Sequence, residues 1–124
     1  GLIKVTHLYG ALDAGLLVNP ASVEQQIEGM MIQAASRMLK EEVKFNQTSV
    51  TSLDWSSYPI LRFAEAPRVT AIAISRPDEP STGAGEEVLA AAGAAIANAF
   101  FDATGVRLRQ RPFTPERVLG SLAA

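Results

Sequence analysis

The stretch TGAGEEVLAAAGAAIANAFFDATG, Thr82 to Gly105, decides the fold. A Gly-Ala-Gly turn leads through Glu86 and Glu87 into an almost unbroken apolar run, and Gly105 is a natural C-terminal stop. The spacing predicts a helix over about 86–104, apolar around most of its circumference and therefore expected to be buried on nearly all sides. One acidic residue would serve a helix start. Two of them behind Gly83 and Gly85 leave two readings of Glu86 open, a cap and a general base. The glycines allow positive φ or a backbone pressed against a bound group, and the helix start points unpaired amides outward.

Working outward, a second helix comes into view. Asn19-Pro20 reads as N-cap plus first-turn proline, with Ser22 and Gln25 as a second possible capping box. Val23, Ile27, Met30 or Met31, Ala34 and Met38 then recur every three or four residues, which predicts an amphipathic helix over about 20–40. Gly29 inside it costs about 1 kcal/mol against alanine. Either a close backbone approach or tight packing is expected there.

Alternation places strands elsewhere. Ile3, Val5 and Tyr9 predict one up to about Gly10, and Val43 and Phe45 a short one. In RVTAIAIS, Val69, Ala71 and Ala73 share one face while Ile72 and Ile74 take the other, so this strand is expected to be central. The end, FTPERVLGSLAA, predicts a short helix from Thr114-Pro115. The fold class is α+β: two main helices, about 20–40 and 86–104, packed on a small mixed β-sheet in one domain spanning 1–124.

Composition narrows the chemistry. At 124 residues the chain can bury about two-thirds of its unfolded surface. Cysteine is absent and His7 is the lone histidine, so thiolate, iron-sulfur and histidine metal sites are excluded within this chain. Any metal must arrive inside a cofactor. A net charge of −2 gives no reason to expect nucleic acid or a membrane surface as partner. Four of the eleven basic residues, Arg107, Arg109, Arg111 and Arg117, cluster in the last eighteen positions, as a solvated strand edge or as a phosphate or partner contact. No stretch has the roughly 18 uninterrupted apolar residues of a membrane span, and GLIKVTHLYG does not read as a signal peptide. The chain is expected to be soluble, in the bacterial cytoplasm or periplasm.

Several ordered motifs share one resemblance. LDAGLLVNPASVEQQIEG is similar to an Asp-Cys-Gly, Val-Asn-Pro and Gln-Ile-Glu-Gly segment, LDWSSYPILRFAEAPRV to an Asn-Phe, Tyr-Pro, Arg and Pro-x-Val series, and AIANAFFDATGVRLRQRPFTPERV to a closing pattern. Together they resemble the C-terminal part of the molybdopterin-binding large subunit of molybdenum hydroxylases, the xanthine dehydrogenase and aldehyde oxidase family, in its isoquinoline 1-oxidoreductase beta-subunit form. Departures are Ala14 for the usual cysteine, Met30 for a second glycine, and Glu87 at a usual proline position.

The resemblance implies an oxidoreductase part hydroxylating an aldehyde or N-heterocycle, with Glu86 as the base that takes a proton from a hydroxyl on molybdenum. It also implies that Gln26 faces the molybdenum cofactor and that Ser22 and Gly85 meet it, against the plainer readings of a surface amide and ordinary capping. The cofactor implied is molybdopterin in its cytosine dinucleotide form. The implied partners are the remainder of the large subunit, an iron-sulfur subunit, a flavin or cytochrome subunit, and a small-molecule substrate. The chain alone, a C-terminal fragment or a split subunit, is expected to retain no molybdenum and to be inactive. The alternative is a non-catalytic structural or interaction module of the same ancestry.

Overall fold

In the computed structural model, which describes residues 1–123, Arg68 donates its backbone N–H to the Thr6 carbonyl at 3.1 Å. From there two strands run parallel, β1 (His7–Asp13) and β2 (Arg68–Ile74), in the register His7 opposite Arg68 through Asp13 opposite Ile74. Between them comes α1 (Pro20–Leu39), and after them α2 (Glu87–Thr104) and α3 (Pro115–Leu122). A single 3₁₀ turn covers Phe63–Glu65. The result is an α+β fold in which the two long helices cover a small sheet.

Both long helices start and stop for legible reasons. The Asn19 side chain accepts from the Ser22 N–H at 3.1 Å, with Pro20 behind it, so the Asn-Pro start is the one used. Gly105 ends α2 at φ 73°, and the Thr114 side chain caps α3 by accepting from the Arg117 N–H.

The core forms where the helical stripe meets the even-numbered face of β1. Leu8 and Leu12 pack with Ile27, Met30, Met31 and Ala34 of α1 and with Val88, Ala92 and Ile96 of α2. Ile27 is fully buried; truncation to alanine there costs about 2–5 kcal/mol. The C-terminal segment closes the far side. Phe113 donates its N–H to the Met38 carbonyl at 2.6 Å, and Leu108, Phe113 and Val118 join the core.

Four expectations need correction. Helix α2 is not buried on nearly all sides: it packs on α1 and β1 alone, leaving Ala90, Ala91, Ala94, Ala95 and Ala99 exposed. Strand β2 is not central, since β1 is its one neighbour among the described residues and Ile72 and Ile74 face outward. The first strand begins later than Ile3, because pairing starts only where Arg68 reaches Thr6. At Val43 and Phe45 there is only an isolated antiparallel bridge, Phe45 to Val50.

Gly29 departs as well. It is exposed, with nothing within 4 Å of where a Cβ would stand, so neither close approach nor tight packing explains it. The C-terminal arginines form no strand edge. Arg107 lies over the Phe101 ring at 4.0 Å, and Arg117 pairs with Glu42 at 2.6 Å, whereas Arg109 and Arg111 line a groove between α1 and α2.

Candidate functional site

Three backbone hydrogen bonds stitch the loop after β1 to the loop before α2. Leu16 donates to the Glu79 carbonyl at 3.1 Å, Arg76 to Gly15 at 3.0 Å and Thr82 to Ala14 at 3.0 Å. The contact is close because residue 15 has no side chain. Gly15 sits at φ 71°, and a Cβ there would stand 2.1 Å from the Pro80 carbonyl oxygen.

Asp13 reinforces the junction. One carboxylate oxygen accepts from the Gly15 N–H at 3.0 Å, and the other from the Arg76 guanidinium at 3.1 Å. The Gly15 amide first, and then Arg76, hold the Asp13 carboxyl below the usual carboxylate range. Arg76 also grips Glu79 at 3.0 Å. With the loops tied, the starts of α1 and α2 converge on one hollow.

That hollow, about 270 Å³, is lined by Ser22 and Gln26 from α1 and by Gly85 from the loop before Glu86, so three of the four residues singled out by sequence share it. Asn19, Ser81 and Thr82 line it too. Sequence reading missed Ser81 and Thr82 as wall residues. Their signal was their place immediately ahead of the Gly-Ala-Gly turn. Ser22 and Gln26 are exposed, and neither side chain is engaged in a hydrogen bond among the described residues.

Glu86 stands at the rim, one residue beyond Gly85. It occupies the N-cap position of α2 without capping it, is exposed, and takes part in no ion pair among the described residues. Glu87 does the capping instead. Its Oε2 accepts from the Glu86 N–H at 2.9 Å, while its Oε1 lies where a Cβ on Gly83 would come within 2.6 Å.

The two glycines thus differ. Gly83 makes room for the Glu87 carboxylate, whereas a Cβ on Gly85 would meet only open space. Neither has positive φ, so of the two uses foreseen for them only contact with a bound group stays open.

The lining fits a polar, anionic cofactor. Amide and hydroxyl groups of Gln26, Ser22, Asn19, Ser81 and Thr82 offer donors, and no carboxylate lines the wall to repel a phosphate. Among the described residues no group of three or more His, Cys, Asp or Glu could hold a metal ion directly. The site is one for a cofactor that brings its own ligands.

Residues 1–67 match the model of the molybdopterin cofactor-binding domain. The chain belongs to that family. Relatives of this molybdopterin-binding domain match along nearly the whole chain. A nicotinate dehydrogenase large component of Pseudomonas putida is 47% identical over 98% of this chain and 10% of its own length. The beta chain of isoquinoline 1-oxidoreductase from Brevundimonas diminuta is 32% identical over 91% of the chain and 14% of its own. The crystal structure of quinoline 2-oxidoreductase from Pseudomonas putida 86 superposes with a TM-score of 0.82 at 27% identity, over 97% of this chain and 16% of that one. The chain therefore spans only a small part of the proteins it matches, and its relatives are molybdenum hydroxylase large subunits.

Proposed function

We propose that this domain forms one wall of the molybdenum cofactor site of an oxidoreductase that hydroxylates an aldehyde or an N-heterocycle, with Glu86 as general base. The observation that carries the reading is the division of labour between neighbours: Glu87 satisfies the helix start, which leaves the Glu86 carboxylate unpaired beside a polar hollow. Names of relatives that point to nicotinate and isoquinoline as substrates support the heterocycle arm.

When bound, molybdopterin, in its cytosine dinucleotide form, supplies the two-electron oxidation and the oxygen transfer. The chain's own residues bind and move a proton. Gln26 donates from its amide N–H and Ser22 from its hydroxyl to polar atoms of the cofactor, and Gly85 keeps the rim low enough for a close approach. Glu86, ionised and unpaired, accepts a proton at a carboxylate oxygen as the substrate is attacked, a role worth about 10²–10⁴-fold in rate. The remainder of the large subunit closes the site, and iron-sulfur and flavin or cytochrome subunits carry electrons away.

In the assembled enzyme, Glu86→Gln should lower kcat by at least about 10²-fold with molybdenum content unchanged. Unchanged turnover would favour the non-catalytic module.

A further inference from the structure

The largest groove lies away from the cofactor hollow. It measures about 690 Å³ and runs between β1 and the outer side of α2. Consecutive residues from Ile3 to Ala11 line it, so β1 presents its backbone edge to the groove and not one face.

The ladder shows which backbone groups are free. Arg68 donates to Thr6 opposite His7, and in a parallel pair the bonds alternate along the strand. Thr6, Leu8, Gly10 and Leu12 therefore turn their backbone groups toward β2. His7, Tyr9 and Ala11 turn theirs to the open edge.

Helix positions point the same way. Helix α1 packs on both strands, whereas α2 packs on β1 and not on β2, so α2 overhangs the edge of the sheet. Beneath the overhang Ala95 and Ala99 form a shallow apolar roof. A strand lying about 4.8 Å beyond β1 would complete its ladder and bury that roof in one step, at the usual layer distance of about 10 Å. A docked helix would leave the amides of His7, Tyr9 and Ala11 unpaired.

We propose that this edge accepts an extended strand from the remainder of the molybdopterin-binding polypeptide, its roof-facing side chains apolar. The occupant follows from length. This fold fills 16% of the quinoline 2-oxidoreductase chain and 10% of the nicotinate dehydrogenase one, so most of such a polypeptide lies outside it and can supply the strand. The inference rests on family membership and is independent of the role of Glu86.

Amide hydrogen exchange on the isolated chain and on the assembled enzyme tests it. The amides of His7, Tyr9 and Ala11 should exchange at least about 100-fold more slowly in the assembly than in the isolated chain. Equal exchange in both would overturn the proposal, and so would a dimer of the isolated chain that already protects these three amides, since a second copy would then be the occupant. Tyr9→Pro removes a donor from the free edge only, and Ala95→Glu places a charge in the roof. Each variant should assemble at least about tenfold less well while its isolated chain keeps the wild-type circular dichroism spectrum. Normal assembly of both would sink the idea. Glu86→Gln should assemble normally, so failure of the base assignment is read separately, by turnover.

Discussion

The Glu87 carboxylate accepts a hydrogen bond from the Glu86 backbone N–H at 2.9 Å, so two adjacent, chemically identical side chains are committed differently. One is spent on the helix start, the other is free. Glu87→Ala should destabilise the chain by about 0.5–2 kcal/mol, the usual cost of losing an N-terminal cap. Glu86→Ala should fall within about 0.5 kcal/mol of wild type, because its side chain makes no stabilising contact. Paired chemical denaturation of the two variants measures both, and equal losses would contradict the assignment.

The junction beneath the site depends on one ionised group. Asp13 has its pKa lowered by the Gly15 amide and the Arg76 guanidinium, so its charged form is favoured in the folded state. Its contribution is present above the unfolded carboxylate value and is lost as pH falls through the lower folded value. Stability should therefore decline on acidification below about pH 4, and Asp13→Asn should flatten that part of the profile. The carboxyl carbon of Asp13 should titrate below 3.8 by NMR. An Asp13→Asn profile that overlays the wild type would count against this tie.

Two glycines should respond in opposite senses to alanine. Gly29→Ala should stabilise the isolated chain by about 1 kcal/mol, because nothing approaches that position and the helix gains propensity. Gly15→Ala should destabilise by more than about 2 kcal/mol, since it meets both a left-handed backbone and the Pro80 carbonyl. Thermal melts of the pair check this, and the Gly15 variant should also loosen the hollow that Gln26 and Gly85 share.

Local signals made the helices readable and long-range ones hid the rest. Asn19-Pro20, Thr114-Pro115 and Gly105 act within a few residues, so the ends of α1, α2 and α3 are written where they occur. The strand β2 misleads because Ile72 and Ile74 give it a second apolar face, yet what would cover that face is not among the described residues. The apolar outer side of α2 misleads in the same way. At the site, Gly-Ala-Gly-Glu-Glu marked the right place but could not say which glutamate caps. That choice is made by Gly83, whose missing side chain lets the Glu87 carboxylate fold back. The link from Asp13 to Arg76 spans 63 residues and left no local trace.

The isolated chain should not retain the cofactor. Its hollow, about 270 Å³, falls below the roughly 300–1,000 Å³ of sites that bury most of a ligand, and Ser22, Gln26, Asn19, Ser81 and Gly85 are all exposed. Neutral donors on one open wall face full competition from water, so each hydrogen bond contributes little net affinity. After incubation with molybdopterin cytosine dinucleotide loaded with molybdenum, gel filtration of the 124-residue chain should leave well under one molybdenum per chain by elemental analysis. Stoichiometric metal would show that this wall binds by itself. The same measurement on the assembled enzyme, comparing wild type with Gln26→Ala, should show lower occupancy for the variant if the Gln26 amide meets the cofactor.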